Sequence, residues 1–182
     1  AYPTRMILDK NDGMYVSDTN GVWYFPPGAI IAILNGGQDE KGSAMRSPWG
    51  LALDSEQNLF VAEKGGNQIR KFGPERNKIS HYSGDGFSSP EGVTVGSDGI
   101  LFIADSGNDR IVKLSSDDIV LDVFHGPPED GFDFPNSVSL DNAGNIFVTD
   151  QNNGRILKLN PDGNLLGILG EQGSFTGQVL FP

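Results

Sequence analysis

Four stretches of this chain can be laid over one another column by column, and that internal repeat constrains the fold more than any other feature. Pro48-Trp49-Gly50-Leu51-Ala52-Leu53-Asp54 aligns with Pro90-Glu91-Gly92-Val93-Thr94-Val95-Gly96 and with Pro135-Asn136-Ser137-Val138-Ser139-Leu140-Asp141. Pro3-Thr4-Arg5-Met6-Ile7-Leu8-Asp9 fits the same frame, and Phe181-Pro182 reads as the opening of another copy. Prolines 3, 48, 90, 135 and 182 are therefore spaced by 45, 42, 45 and 47 residues. A second set of columns follows in each copy: Met14-Tyr15-Val16-Ser17-Asp18, Leu59-Phe60-Val61-Ala62-Glu63, Leu101-Phe102-Ile103-Ala104-Asp105 and Ile146-Phe147-Val148-Thr149-Asp150. A third comprises Ile69-Arg70-Lys71-Phe72, Ile111-Val112-Lys113-Leu114 and Ile156-Leu157-Lys158-Leu159, with a divergent Val22-Trp23-Tyr24-Phe25 in the first copy.

Each copy reads as four strands. The first two are short and rich in β-branched and aromatic residues, with turns such as Asn11-Asp12-Gly13 and Ser97-Asp98-Gly99 between them. The third alternates apolar and basic residues, as in Arg110-Ile111-Val112-Lys113-Leu114, which predicts one packed face and one solvated face. The fourth, over residues 29–34, 78–83, 119–124 and 165–169, is the most variable. No stretch carries a helical period long enough for a structural helix. Four-stranded units of this length predict an all-β chain of β-propeller blades. The chain divides into repeats at about residues 3–47, 48–89, 90–134 and 135–181, forming a single propeller domain or a segment of one.

The pattern Pro-x-Gly-[Leu/Val]-[Ala/Thr]-[Leu/Val], then Asn-x-Phe-Val-x-Asp, then Asn-x-Arg-Ile-x-Lys resembles the NHL repeat. Residues 90–113 and 135–158 match it best. The second copy departs through Glu63, Gln68 and an extra glycine, and the first lacks the Arg-Ile and Lys positions. The resemblance implies strand one near the central axis and strand four on the outer rim. It also implies a larger propeller of about six blades, of which four repeats are present here.

Charge is informative by position. Residues 1–83 carry nine Lys/Arg and nine Asp/Glu, whereas residues 84–182 carry four and fifteen, which accounts for the net charge of −11. An acidic surface repels phosphate backbones, so nucleic acid is not an expected partner. The basic residues Arg46, Lys64, Arg70, Lys71, Arg76 and Lys78 read as a solvated rim. No apolar run approaches the roughly 20 residues of a membrane-spanning helix, so no membrane insertion is expected. The absence of cysteine removes disulfides and thiolate chemistry.

The recurring polar residues read first as structure. Asp105 with Arg110, and Asp150 with Arg155, stand at the two ends of a short turn where a carboxylate can accept from turn amides and an Arg fork. Asp9, Asp54 and Asp141 close strand one before a turn and read as turn formers. Asp9-x-Asn11-Asp12-Gly13 and Gly84-Asp85-Gly86 offer oxygen ligands for a structural calcium, without the spacing of an EF-hand loop. No other cofactor and no catalytic metal are expected.

Some propellers of this kind are metal-dependent lyases or lactonases, which gather His, Asp or Glu from several blades at the axis. The strand-one positions expected at the axis here are Ile7, Ala52, Thr94 and Ser139, and the two histidines, His81 and His125, fall on or just after outer strands. No nucleophile elbow, Walker loop or zinc-protease motif is present. The expectation is a noncatalytic module that presents a face built of loops to a protein, peptide or glycan partner. On that face Trp49, Glu91 and Asn136 occupy equivalent positions, joined by Lys64, Ser106, Asn152 and the segments around Phe87, Phe132 and Phe134. The alternative from a different class is a structural protein that assembles with other copies of itself.

Overall fold

Short β-branched and aromatic runs in each repeat pair into a meander because the turns between them are closed by their own side chains. The computed structural model describes residues 2–28, 44–76, 78–83 and 86–170, excluding the side chains of residues 78 and 79. The first repeat supplies β1 (Pro3–Leu8), β2 (Met14–Asp18) and β3 (Gly21–Phe25). The second supplies β4 (Pro48–Leu53), β5 (Leu59–Glu63), β6 (Gln68–Phe72) and β7 (Lys78–Tyr82). The third supplies β8 (Pro90–Val95), β9 (Leu101–Asp105), β10 (Arg110–Leu114) and β11 (Val120–Phe124), and the fourth β12 (Pro135–Leu140), β13 (Ile146–Asp150), β14 (Arg155–Leu159) and β15 (Leu165–Ile168). Each repeat is one antiparallel sheet in chain order, a propeller blade. Helix among the described residues is limited to two single 3-10 turns, Lys64–Gly66 and Ser106–Asn108. The strand expected at residues 29–34, the Gly84-Asp85 segment and the copy opening at Phe181-Pro182 lie outside the described residues.

The turn after strand one shows how little sequence is needed to close a hairpin. Asp54 Oδ1 accepts from the backbone N–H of Glu56 and Asn58, at 3.0 and 2.8 Å. Asp141 Oδ1 accepts from Ala143 and Asn145, and Asp9 Oδ1 from Asn11 and Gly13. In the third blade Gly96 stands at that position, and Asp98 instead accepts from the Ile100 N–H.

The blades then stack through their faces. The rear face of the second blade, with Ala52, Phe60, Ala62 and Ile69, packs on the front face of the third, with Val93, Leu101, Ile103 and Val112. The rear of the third, with Phe102, Ala104, Ile111 and Phe124, packs on Val138, Ile146, Val148 and Leu157 of the fourth. The first blade meets the second through Tyr15, Val22 and Tyr24 against Leu59, Val61 and Phe72. Near the axis the inner strands approach backbone to backbone. A Cβ on Gly50 would lie 2.3 Å from the Glu91 carbonyl oxygen, and one on Gly92 would lie 2.9 Å from Ser137 Cα. The glycine of the Pro-x-Gly motif is thus set by the next blade.

This stacking corrects three readings of the sequence. Strand three packs on both faces: Ile111 and Val112 point to opposite sides and both are fully buried, while Lys113 lies over the Phe102 ring. Ala52 belongs to the core between blades and does not line an open axis. Arg70 is 4% exposed and bound to Glu63, so it is no part of a solvated rim.

The two outer faces of the described arc keep the same chemistry. In the first blade Met6, Met14, Val16, Trp23 and Phe25 stand in the register columns of Val93, Leu101, Ile103, Val112 and Leu114, yet Met6 is 65% exposed. In the fourth blade Phe147 and Ile156, column mates of Phe102 and Ile111, are only half-buried.

Candidate functional site

The loops before strand one and the turns between strands two and three lie on one face of the disc, hereafter the upper face. They are joined by backbone hydrogen bonds within each blade: Lys64 N–H donates to Ser47 O, Gly107 N–H to Ser88 O, and Gln151 N–H to Phe134 O. They are also tied across blades. Asn67 and Asp109 adopt left-handed backbone conformations, and their side-chain oxygens accept from the Ser89 and Phe134 N–H of the following blade, at 2.9 and 2.7 Å. Neither clamp is signalled by the repeat pattern, since the two residues differ and their partners lie over 20 residues away.

Below this layer, each blade anchors the carboxylate that ends strand two. Asp105 Oδ1 accepts from Ser88 N–H, and its Oδ2 accepts from Asn108 Nδ2 and Arg110 Nε. Asp150 does the same with Asp133 N–H, Asn153 Nδ2 and Arg155 Nε. Arg155 carries its fork on to Asp130, a pair that sequence reading missed. The hydrogen bond from Arg155 holds the Asp130 carboxyl below its ordinary range, against a weaker opposing effect of desolvation. Burial alone would lower the Arg155 guanidinium, but Asp130 and Asp150 raise it. In the second blade the longer Glu63 reaches Arg70, two residues further along strand three than Arg110 in its own blade, and also accepts from Gln68 Nε2. The extra methylene of Glu compensates for the displaced Arg. In the first blade Trp23 Nε1 donates to Asp18 Oδ2.

Three blades converge above these anchors at Lys64. Its ammonium donates to Glu91 Oε1 at 2.5 Å. It also stands 5.2 Å from the centre of the Trp49 ring and 5.5 Å from that of Phe134. Trp49 comes from the second blade, Glu91 from the third, and Phe134 from the lead into the fourth. Glu91 is 2% exposed, whereas the Lys64 side chain is 33% exposed. Two buried polar atoms in strand-one positions beside this point, Trp49 Nε1 and Asn136 Oδ1, have no hydrogen-bond partner among the described residues. Phe134 holds φ +54°, an uncommon conformation for a bulky residue.

Of the residues expected on this face, Trp49, Lys64, Glu91 and Phe134 meet. Asn136 Nδ2 donates to Gln151 Oε1, and Asn152 Nδ2 to Asp133 Oδ1, so these two are engaged within their own blade. Ser106 is buried and donates to Pro135 O of the next blade. Phe87 and Phe132 are buried in the cores between blades and are not part of the exposed face. His81 and His125 are exposed, on β7 and just after β11. Among the described residues no three His, Cys, Asp or Glu side chains group so as to hold a metal ion. On the opposite face, polar grooves of about 360 and 400 Å³ lie at successive blade boundaries, each with a lysine over a phenylalanine. Their recurrence marks them as products of the repeat.

A family model described as the NHL repeat matches residues 87–114 and 132–159. A comparison with curated protein sequences returns no match. Among solved structures, a streptogramin B lyase is 17% identical with a TM-score of 0.72, over 90% of this chain and 53% of that one. A catalytically inactive virginiamycin B lyase from Staphylococcus aureus with quinupristin is 14% identical with a TM-score of 0.73, over 99% of this chain and 56% of that one. The hydrazine synthase of Kuenenia stuttgartiensis is 12% identical with a TM-score of 0.58, over 70% and 36%. The chain spans about half the length of the two lyases, and at such identity the likeness speaks for the fold alone. Repeat columns, blade topology and family match agree: the chain has a β-propeller fold and carries NHL repeats at residues 87–114 and 132–159.

Proposed function

We propose that this chain is a noncatalytic binding module whose upper face engages a protein, peptide or glycan partner. The observation that carries the reading is the convergence of Trp49, Glu91, Lys64 and Phe134 from three blades at one place. A half-buried indole beside fixed charges gives apolar contact and orientation together, which is how binding hot spots are built. The lyase activities named for the solved structures belong to those proteins. Carrying them over would need bases or metal ligands free at the axis; Thr94 and Ser139 are poor candidates, Ile7 packs on the core between the first two blades, the strand-one carboxylate Glu91 is held by Lys64, and both histidines lie on or just after outer strands.

The test is binding of the folded chain to peptide and glycan arrays, repeated with Trp49→Ala and with Lys113→Ala on the opposite face. Retained array signals that vanish with Trp49→Ala and survive Lys113→Ala are expected. Signals indifferent to Trp49, or turnover of a lactone substrate by the wild-type chain, would overturn the reading.

A second reading, self-assembly, is favoured by one specific observation: both outer faces of the described arc repeat the columns of the covered interfaces. If copies dock head to tail, sedimentation shows oligomers that Met6→Asp and Phe147→Asp each disperse. A monomer at every concentration would remove this reading.

A further inference from the structure

The Lys64 site has the chemistry of a receptor for an alkylammonium group, and the protein's own lysine fills it. Two aromatic ring faces, Trp49 and Phe134, present negative quadrupoles to the same point, and the Glu91 carboxylate supplies the counter-charge. The parts differ in how firmly they are held. Glu91 sits on the inner strand β8 and is nearly inaccessible. Trp49 sits on β4, and the Phe134 backbone is clamped by Asp109. The occupant, by contrast, is a four-carbon stem on a one-turn 3-10 segment, a third exposed. A long flexible side chain gives up much rotamer freedom to stay in such a place, so the fold holds the cage more firmly than its occupant.

We propose that the Trp49–Phe134–Glu91 cage recognises a lysine side chain presented by a protein or peptide partner, with Lys64 as the displaceable occupant of the free chain. The inference rests on the binding-module reading and narrows its partner class. Two further features point to a peptide carrying that lysine. Trp49 Nε1 is a buried donor and Asn136 Oδ1 a buried acceptor, neither with a partner among the described residues, in the strand-one positions of the blades on either side of Glu91. A main-chain amide carries both an acceptor and a donor to complement them, whereas an alkylammonium ion by itself carries no acceptor for the indole N–H. The net charge of −11 favours approach of a basic segment at low ionic strength.

The probe is Nα-acetyl-lysine N-methylamide, with the norleucine analogue as its uncharged counterpart, titrated by calorimetry into wild type, Lys64→Ala and Lys64→Ala/Glu91→Gln. Emptying the cage is expected to tighten lysine-amide binding by about tenfold or more relative to wild type, with no binding of the norleucine amide and loss in the double variant. Equal affinity of wild type and Lys64→Ala, or equal binding of both amides, would overturn the proposal. Should Lys64→Ala fail to fold, the wild type still answers. Saturating lysine amide should move the Lys64 ε-methylene resonance toward its free-chain position, and an unmoved resonance would count against the proposal. If array partners bind through Trp49 without any lysine, this inference fails while the binding module stands; if neither the arrays nor the lysine amide gives a signal, both fall.

Discussion

Substituting Gly50 by alanine tests how closely the inner strands of adjacent blades are stacked. The added Cβ would fall 2.3 Å from the Glu91 carbonyl oxygen and 3.0 Å from Val93 N, both backbone atoms of β8. Carbon and carbonyl oxygen in ordinary contact stand about 3.3–3.6 Å apart, so β4 and β8 must separate locally by about 1 Å. Overpacking of this kind costs about 1–3 kcal/mol, and a backbone obstacle places it at the upper end. The lower conformational freedom of alanine in the unfolded chain returns about 0.4–1 kcal/mol. The expected net loss is about 2 kcal/mol, or about 4–8 °C in Tm for a chain of this size. Urea unfolding followed by tryptophan fluorescence measures it. Gly167→Ala is the control, because nothing lies within 4 Å of its Cβ position, and it should stay within about 0.5 kcal/mol of wild type. A Gly50→Ala protein equally close to wild type would refute backbone-to-backbone packing at the axis.

Other expectations follow from the same interfaces. Arg155→Ala leaves the fully buried Asp150 with two of its three donor groups; a loss of about 2–3 kcal/mol in urea unfolding is expected, and Arg155→Lys should not restore it, since lysine cannot serve Asp150 and Asp130 together. Phe102→Ala should cost about 3–4 kcal/mol because the ring is covered by the fourth blade, whereas Phe147→Ala should cost about 1 kcal/mol at its half-open face; equal losses would show that a further blade covers Phe147 in solution. Burial works to raise the Asp9 carboxyl, but hydrogen bonds from Asn11, Gly13 and Tyr24, helped by Arg76, hold it below its ordinary 3.8. A depressed folded pKa contributes stability that is present above the unfolded value and lost as pH falls through the folded one. The urea midpoint should therefore drop below about pH 4, and Asp9→Asn should flatten that acid limb; an unchanged limb would show that Asp9 gains nothing from these bonds.

Strand positions and turns were legible because both are local. A run such as Leu101-Phe102-Ile103-Ala104-Asp105 extends by its own stereochemistry, and Asp54 or Asp141 closes its turn on amides two and four residues away. Repetition of those signals at about 45 residues already specified blades, since a single four-stranded sheet of this kind cannot bury both faces alone. The Asp105–Arg110 and Asp150–Arg155 pairs could be anticipated for the same reason, being five residues apart across one turn.

What the sequence could not decide is what lies between blades. Alternation along strand three suggested a wet face, but a blade has neighbours on both sides, so Val112 and Ile111 are equally buried. Arg70 reads as a surface residue until Glu63, reaching round from the neighbouring strand, is placed beside it. The Lys64 cage is the extreme case. Trp49 and Lys64 belong to the second copy, Glu91 to the third and Phe134 to the lead into the fourth; the repeat puts Trp49 and Glu91 in one column and all four residues on one face, but nothing in the periodicity says that their side chains meet. Only closure of successive blades about a common axis, with Gly50 and Gly92 letting the inner strands touch, brings the four side chains to one point.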